Sequence, residues 1–218
     1  NPTPARVINM SLGGPATSCP VSYQNAVNAV LATGASIIVA AGNESVNVAG
    51  IAPANCVGVI AVAATGSKGE MASYTNFGTG VTLSAPGGNG LTPDATAPGE
   101  FTCNSSNAND CMMVLGNQGT TTATTDAFYI GTGTSFAVPV VSGVVSLMLS
   151  VNPNLTPSQV KSILQAKTKP FPLFTAAQTA AGMTPCDTNK CGAGIVDAAA
   201  AVAEAKRLIT PASTPTPT

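Results

Sequence analysis

The chain has 218 residues, a net charge of −1, only 8% charged and 4% aromatic residues, and no histidine. That length suffices for one substantial core. The near-neutral balance excludes the basic field that holds nucleic acid or an anionic membrane surface, and six cysteines without a Cys-x-x-Cys pair or any histidine argue against zinc.

Asn1-Pro2-Thr3-Pro4 opens the chain without an initiator methionine, and reads as the product of processing or a piece of something longer. No basic segment followed by an apolar run is present there, so no signal peptide is expected in these residues. Val7 to Leu12 predicts a short strand ended by Gly13-Gly14-Pro15. Ser22 to Thr33 predicts a helix, with Val27, Val30 and Leu31 on one face and Gly34 as its stop. Ala35 to Ala41 contains the run Ser36-Ile37-Ile38-Val39, which suits a strand buried on both faces of a parallel sheet; Gly42-Asn43 ends it. Val57 to Ala63 and Val81 to Ser84 predict two more strands. Residues 86 to 133 are rich in Pro, Gly, Asn, Thr and Ser. They read as a long surface excursion, strand-like only at Met112 to Leu115 and Phe128 to Ile130.

A helix is expected after Ser135, through Val140 to Leu149. Thr156-Pro157 caps another, to about Lys167, with proline at its first position. Asp197 caps a final Ala-rich helix to about Leu208. No apolar run reaches the ~18 residues that span a bilayer, so no membrane segment is expected. Alternating strands and helices predict an α/β fold with a mainly parallel central sheet flanked by helices. Residues 1–209 read as one domain, and the Thr/Pro-rich stretch 210–218 as a linker or tail.

An even cysteine count in a chain of low charge reads as disulfides made outside the cytosol. Six cysteines allow fifteen pairings; proximity favours Cys19 with Cys56, Cys103 with Cys111, and Cys186 with Cys191. Asp94, Asp110 and Asp126 are candidate calcium ligands on the excursion, though solvated loop carboxylates are the simpler reading. Structural calcium therefore stays open with its ligands unknown, and no cofactor is required for the chemistry below.

Three turns carry that chemistry. Gly133-Thr134-Ser135 delivers a serine to a helix N-terminus, where unsatisfied N–H groups and the macrodipole favour developing negative charge. A nucleophilic serine needs such a place, because its reaction passes through an oxyanion. Asn43 follows a buried strand and can offer a side-chain N–H. Ser11-Leu12-Gly13 offers an edge of backbone along which a peptide can lie as an added strand, with Gly13 and Gly14 permitting close approach.

Gly133-Thr134-Ser135-Phe136-Ala137-Val138-Pro139 resembles the nucleophile motif of subtilisin-like serine proteases. Val39-Ala40-Ala41-Gly42-Asn43 resembles the strand and turn of their oxyanion-hole asparagine, and Ile8-Asn9-Met10-Ser11-Leu12-Gly13-Gly14 their substrate-binding strand. Asn76-Phe77-Gly78 and Leu83-Ser84-Ala85-Pro86-Gly87 fit the pattern between the last two motifs. Order and spacing agree over most of residues 5 to 205. The cysteines and Cys191-Gly192-Ala193-Gly194-Ile195-Val196-Asp197 look most like secreted bacterial members.

The resemblance implies a secreted serine endopeptidase acting on polypeptides through an acyl-enzyme. Ser135 would be its nucleophile, and Asn43 with the Ser135 backbone N–H its oxyanion donors. Ser11, Leu12, Gly13, Gly14 and Thr134 would contact substrate, and Ala40, Ala41 and Gly42 would line the primary specificity pocket. The family's catalytic Asp and His precede Ser in chain order, ahead of the matched region, so the match covers about the C-terminal two thirds of a catalytic domain. No residue of this chain is assigned as the base. Phe136 stands where the family usually has Met, and Val140 where it usually has His. The favoured account is a nicked enzyme whose upstream chain or segment supplies Asp and His. The alternatives are an inactive fragment and a catalytically inactive subtilase-like domain that binds peptides. The Cys103–Cys111 loop is expected near the cleft.

Overall fold

The structure, a computed structural model, describes residues 4–89, 92–93, 101–102 and 110–209. The elements run β1 (Val7–Met10), β2 (Gly14–Pro15), α1 (Val21–Ala32), β3 (Ser36–Ala40), β4 (Ile51–Ala52), β5 (Ile60–Thr65), β6 (Leu83–Pro86), β7 (Thr92–Pro93), β8 (Phe101–Thr102), β9 (Met112–Asn117) and β10 (Asp126–Gly131). There follow α2 (Thr134–Val151), α3 (Pro157–Ala166), β11 (Thr168–Lys169), α4 (Ala176–Ala180), β12 (Ile195–Val196) and α5 (Ala198–Arg207).

The central sheet has the order β1-β3-β5-β6-β12-β11. Every neighbouring pair is parallel except β11 with β12. The α/β architecture expected from the alternating pattern is the one observed. The β-branched run of β3 is buried throughout because both faces of the sheet are covered. Ile38 and Ala40 point into a core shared with α2, α3 and α5, while Ile37, Val39 and Ala41 point into a second core that includes Val27 of α1. Strict alternation across two apolar layers is why a continuous apolar run, rather than an alternating one, encodes this strand.

Two helix caps fall where the sequence puts them. The Thr156 hydroxyl accepts from the Gln159 N–H at 3.2 Å, and the Gln159 side chain accepts in return from the Thr156 N–H at 2.9 Å. The Asp197 carboxylate accepts from the Ala200 N–H at 3.0 Å. Strand boundaries move by up to three residues: β5 starts at Ile60 rather than Val57, where Pro53-Ala54-Asn55-Cys56 makes a turn closed by the Cys56 N–H on Pro53 O. Predicted disulfides Cys19–Cys56 and Cys186–Cys191 are both formed. Cys103 lies outside the described residues, as do Asp94 and the tail from Thr210. Cys111 lies against Gly88, where an added Cβ would approach its Cα to 3.3 Å.

The excursion contains an antiparallel hairpin of β9 and β10. Met113, Leu115, Phe128 and Ile130 fall on one face of it by register, and all four are exposed. Its last pair, Met112 with Gly131, ends two residues before the turn at Gly133.

The 18-residue helix α2 is long and apolar enough, by length and composition alone, to cross a membrane, with mean hydropathy 1.9. Here it packs against β1, β3, β5, β6 and α5, and buries Val138, Val141, Val145 and Met148. At the opposite extreme is β1. It forms one edge of the sheet, and its residues Val7, Ile8 and Met10 are only half-buried. Beside it lies an apolar groove of about 310 Å³ lined by Ile8, Met10, Tyr23, Val30 and Ile37.

Candidate active site

Three loops meet at the N-terminus of α2. The first is the turn Gly133-Thr134-Ser135. The Gly133 N–H donates to Gly87 O at 2.9 Å, which ties the turn to the end of β6. Ser135 is the second residue of α2 and is half-buried. In that position its N–H has no acceptor inside the helix and forms part of the positive end of the dipole.

Pro139 then shapes the turn. A residue there would normally donate its N–H to the carbonyl of Ser135, four residues earlier, but proline has no N–H. The vacated Ser135 O instead accepts the Ser11 hydroxyl at 2.9 Å. Ser11, at the end of β1, is thereby fastened to the serine of α2. Its hydroxyl also accepts from Asn9 Nδ2 at 3.0 Å, and Asn9 Oδ1 accepts the Ser142 hydroxyl of α2 at 2.9 Å. Among the described residues the Ser135 hydroxyl itself donates only to Ser11 O, at a long 3.4 Å. A neutral carbonyl cannot take up its proton.

The third loop follows β3. Asn43 Oδ1 accepts two bonds from Thr134, from its N–H at 2.8 Å and its hydroxyl at 2.9 Å. With Oδ1 turned to Thr134, Nδ2 is the atom left to donate, and it lies 3.7 Å from where a Cβ on Gly133 would stand. The Gly42 N–H reaches Thr134 Oγ1 at 3.3 Å. Asn43, Thr134 and Ser135 are therefore brought together as the motifs suggest. The arrangement presents a side-chain N–H and a main-chain N–H beside one hydroxyl, which suits an anion formed at that hydroxyl's reaction partner.

Ser11, Leu12 and Gly13 are exposed and lead away from this point. Gly13 is used by the fold itself: an added Cβ would come within 3.2 Å of Ala52 O, whereas one on Gly14 would meet open space. Ala40 and Ala41 are buried in the two cores, so any wall they give a pocket is made by backbone. Among the described residues no group of three Asp, Glu, Cys or His side chains is placed to hold a cation. Asp110 is instead engaged by the N–H and hydroxyl of Ser67.

Two neighbours escape the sequence reading. The Tyr74 hydroxyl shares its one proton between Gly88 O at 2.6 Å and Gly87 O at 2.9 Å, the second being the carbonyl that anchors Gly133. Asn76, quoted above only as part of a motif, is fully buried against the Asn43 turn. Neither contact has a local signature, since each spans loops far apart in sequence.

Burial pushes the Tyr74 phenol well above its ordinary value. Its proton is held more tightly folded than unfolded. Tyr74 thus contributes stability that is intact below pH ~10 and lost as pH rises beyond it. Tyr74→Phe is expected to cost about 0.5–1.5 kcal/mol at neutral pH through the lost hydroxyl bonds, and to flatten the alkaline fall in stability. Urea unfolding of both proteins from pH 8 to 11 checks this; parallel alkaline slopes would contradict it.

Known proteins share this chain's sequence and fold. The profile of the subtilase family (peptidase S8) matches residues 1–194. An extracellular protease of Xanthomonas campestris pv. campestris is 44% identical over 206 residues, which is 94% of this chain and 30% of that protein. An extracellular basic protease of Dichelobacter nodosus is 34% identical over 93% of this chain and 28% of its own length. A solved structure of proteases from Pseudoalteromonas arctica PAMC 21717 superposes with a TM-score of 0.76 at 37% identity, covering 94% of this chain and 52% of that one. The chain thus spans about half of that solved chain and under a third of the two curated relatives. On its sequence, its subtilisin-like fold and these relatives, the chain belongs to the subtilase family.

Proposed function

We propose that this chain supplies the nucleophile and oxyanion hole of a secreted serine endopeptidase, whose catalytic Asp and His come from an upstream segment or a separate bound chain. The observation that carries this reading is the double Thr134 bond to Asn43 Oδ1, which leaves Nδ2 free to donate, together with the placing of Asn43 Nδ2 and the Ser135 N–H nitrogen at the same 3.7 Å from where a Cβ on Gly133 would stand. The names of the relatives support an extracellular protease.

In this reading Ser135 Oγ attacks the carbonyl carbon of a peptide bond while the imidazole removes its proton. The carbonyl oxygen becomes an anion, held by Asn43 Nδ2 and the Ser135 N–H. Collapse expels the amine, which takes the proton from the imidazolium, and leaves an acyl group on Ser135. Water then attacks that ester with the same groups in the same roles. The main chain of Ser11 to Gly13 aligns the substrate as an added strand.

An incoming partner has a place to pack. The β1 edge leaves backbone groups facing outward, and the adjacent groove is apolar. Edges and apolar grooves of this kind are ordinarily covered by further protein.

The test is a denaturing mass spectrum of the enzyme from culture medium after treatment with a fluorophosphonate. A probe adduct on Ser135, with a histidine-bearing segment or chain present, is the expected result. A folded sample containing that segment yet taking up no probe would overturn the reading in favour of a non-catalytic peptide binder.

A further inference from the structure

We propose that Asn76 is the positioning residue of the oxyanion hole, acting on Asn43 through the turn on either side of it and through Glu44; this rests on the protease reading above. Asn76 spends its whole amide on that turn. Its Nδ2 donates to Ala41 O at 2.9 Å and to Glu44 Oε2 at 2.6 Å. Its Oδ1 accepts from the N–H groups of Glu44, at 3.1 Å, and Val46, at 2.9 Å. Its own backbone N–H donates to Gly42 O at 3.0 Å. Bonds from one residue thus fix the chain at 41, 42, 44 and 46, leaving Asn43 at the centre of the bracket.

The last link is direct. The same Glu44 oxygen that Asn76 holds also accepts the Asn43 N–H, at 2.9 Å. Asn76 therefore sets Glu44, Glu44 sets the peptide of Asn43, and the Asn43 amide meets Thr134 beside the nucleophile. The fit is close: Gly42 has φ +104°, and a Cβ there would come within 2.2 Å of Asn76 Nδ2. No side chain can stand between Asn76 and the turn. The bracket continues beyond Asn76, since the Ser45 N–H donates to Tyr74 O at 2.9 Å and the Phe77 N–H to Val46 O at 3.1 Å. A donor must stand where charge appears in the transition state, and a displacement of about 1 Å can cost about 10²-fold in rate. The turn is built around a glycine in a left-handed conformation; Thr134 holds the end of the Asn43 side chain, and Asn76 holds the main chain on either side of it.

The experiment measures kcat and KM of the complete enzyme for Asn76→Ala and Glu44→Ala, each in the parent and in an Asn43→Ala background. Glu44 is exposed, so its truncation leaves the core alone and keeps the test alive if Asn76→Ala does not fold. The expected result is a fall in kcat of about 10- to 100-fold with KM changed by less than about 3-fold, because only transition-state contact is lost. In the Asn43→Ala background the same changes should lower kcat by less than about 2-fold, since residues acting as one unit are not additive. Equal losses in both backgrounds, or no loss in the parent, would overturn the positioning role. Fluorophosphonate labelling of Ser135 separates the two levels of failure. A parent enzyme that labels normally confines the failure to Asn76, whereas a parent that does not label removes the protease reading beneath it.

Discussion

Replacing Ser135 with alanine in the complete enzyme should abolish peptidase activity while leaving the fold intact. The side chain is half-buried, and its hydroxyl makes one long contact, 3.4 Å to Ser11 O. The structural ties of the turn run through other atoms: the Ser135 carbonyl to the Ser11 hydroxyl, the Gly133 N–H to Gly87 O, and the two Thr134 bonds to Asn43. Alanine keeps every one of these. The expected loss is of the order of 10⁶-fold in kcat, a scale taken from the corresponding deletion in subtilisin itself and not computed from this geometry. Residual hydrolysis of ~10³-fold over water should persist through the oxyanion donors and substrate alignment. Steady-state kinetics on a chromogenic peptide, with circular dichroism of the same sample, checks both halves. An active Ser135→Ala enzyme would place the nucleophile elsewhere.

Asn43→Ala should have the second largest effect. It removes the Nδ2 donor and leaves the Thr134 N–H and hydroxyl without their acceptor. The loss should fall on kcat, by about 10²–10³-fold, with KM nearly unchanged, because the donor meets its acceptor only once the carbonyl carries charge. That magnitude again comes from subtilisin's own asparagine. Asn43 is exposed but Thr134 is fully buried, so leaving the two Thr134 donors without an acceptor should cost about 1–3 kcal/mol of stability. An equal rise in KM would make Asn43 a ground-state binding residue instead.

Much of the frame was legible where the signal is local. Thr156 and Asp197 announce their helices because a cap bonds residues only three positions away. Ile37 to Val39 announce a strand covered on both faces because each side chain enters one of two cores. The Ser135 turn was legible for the same reason, as a glycine-flanked entry to a helix. Other parts had no local signal. Strands β11 and β12 are two residues each, too short for any period, and exist only because β6 and α3 bring them together. The Asn76 bracket joins residues about thirty positions apart. The sequence shows an asparagine in a recognisable motif, but not what its amide holds. The hydroxyl–carbonyl tie of Ser11 to Ser135 spans 124 residues and depends on a proline's missing N–H; each end is visible in the sequence, and the bond is not.

The ties around Ser135 come mainly from amides, hydroxyls and carbonyls, and the chain has neither a histidine nor, among the described residues, a free cysteine. None of its side chains around that serine is therefore of a type that ordinarily changes charge between pH 6 and 9. On the proposed reading, whatever acidic limb the activity shows then belongs to the segment or chain that brings the imidazole. Exchange that segment or chain for a related one with a differently tuned histidine, and the working pH should travel with the exchange while peptide preference stays behind.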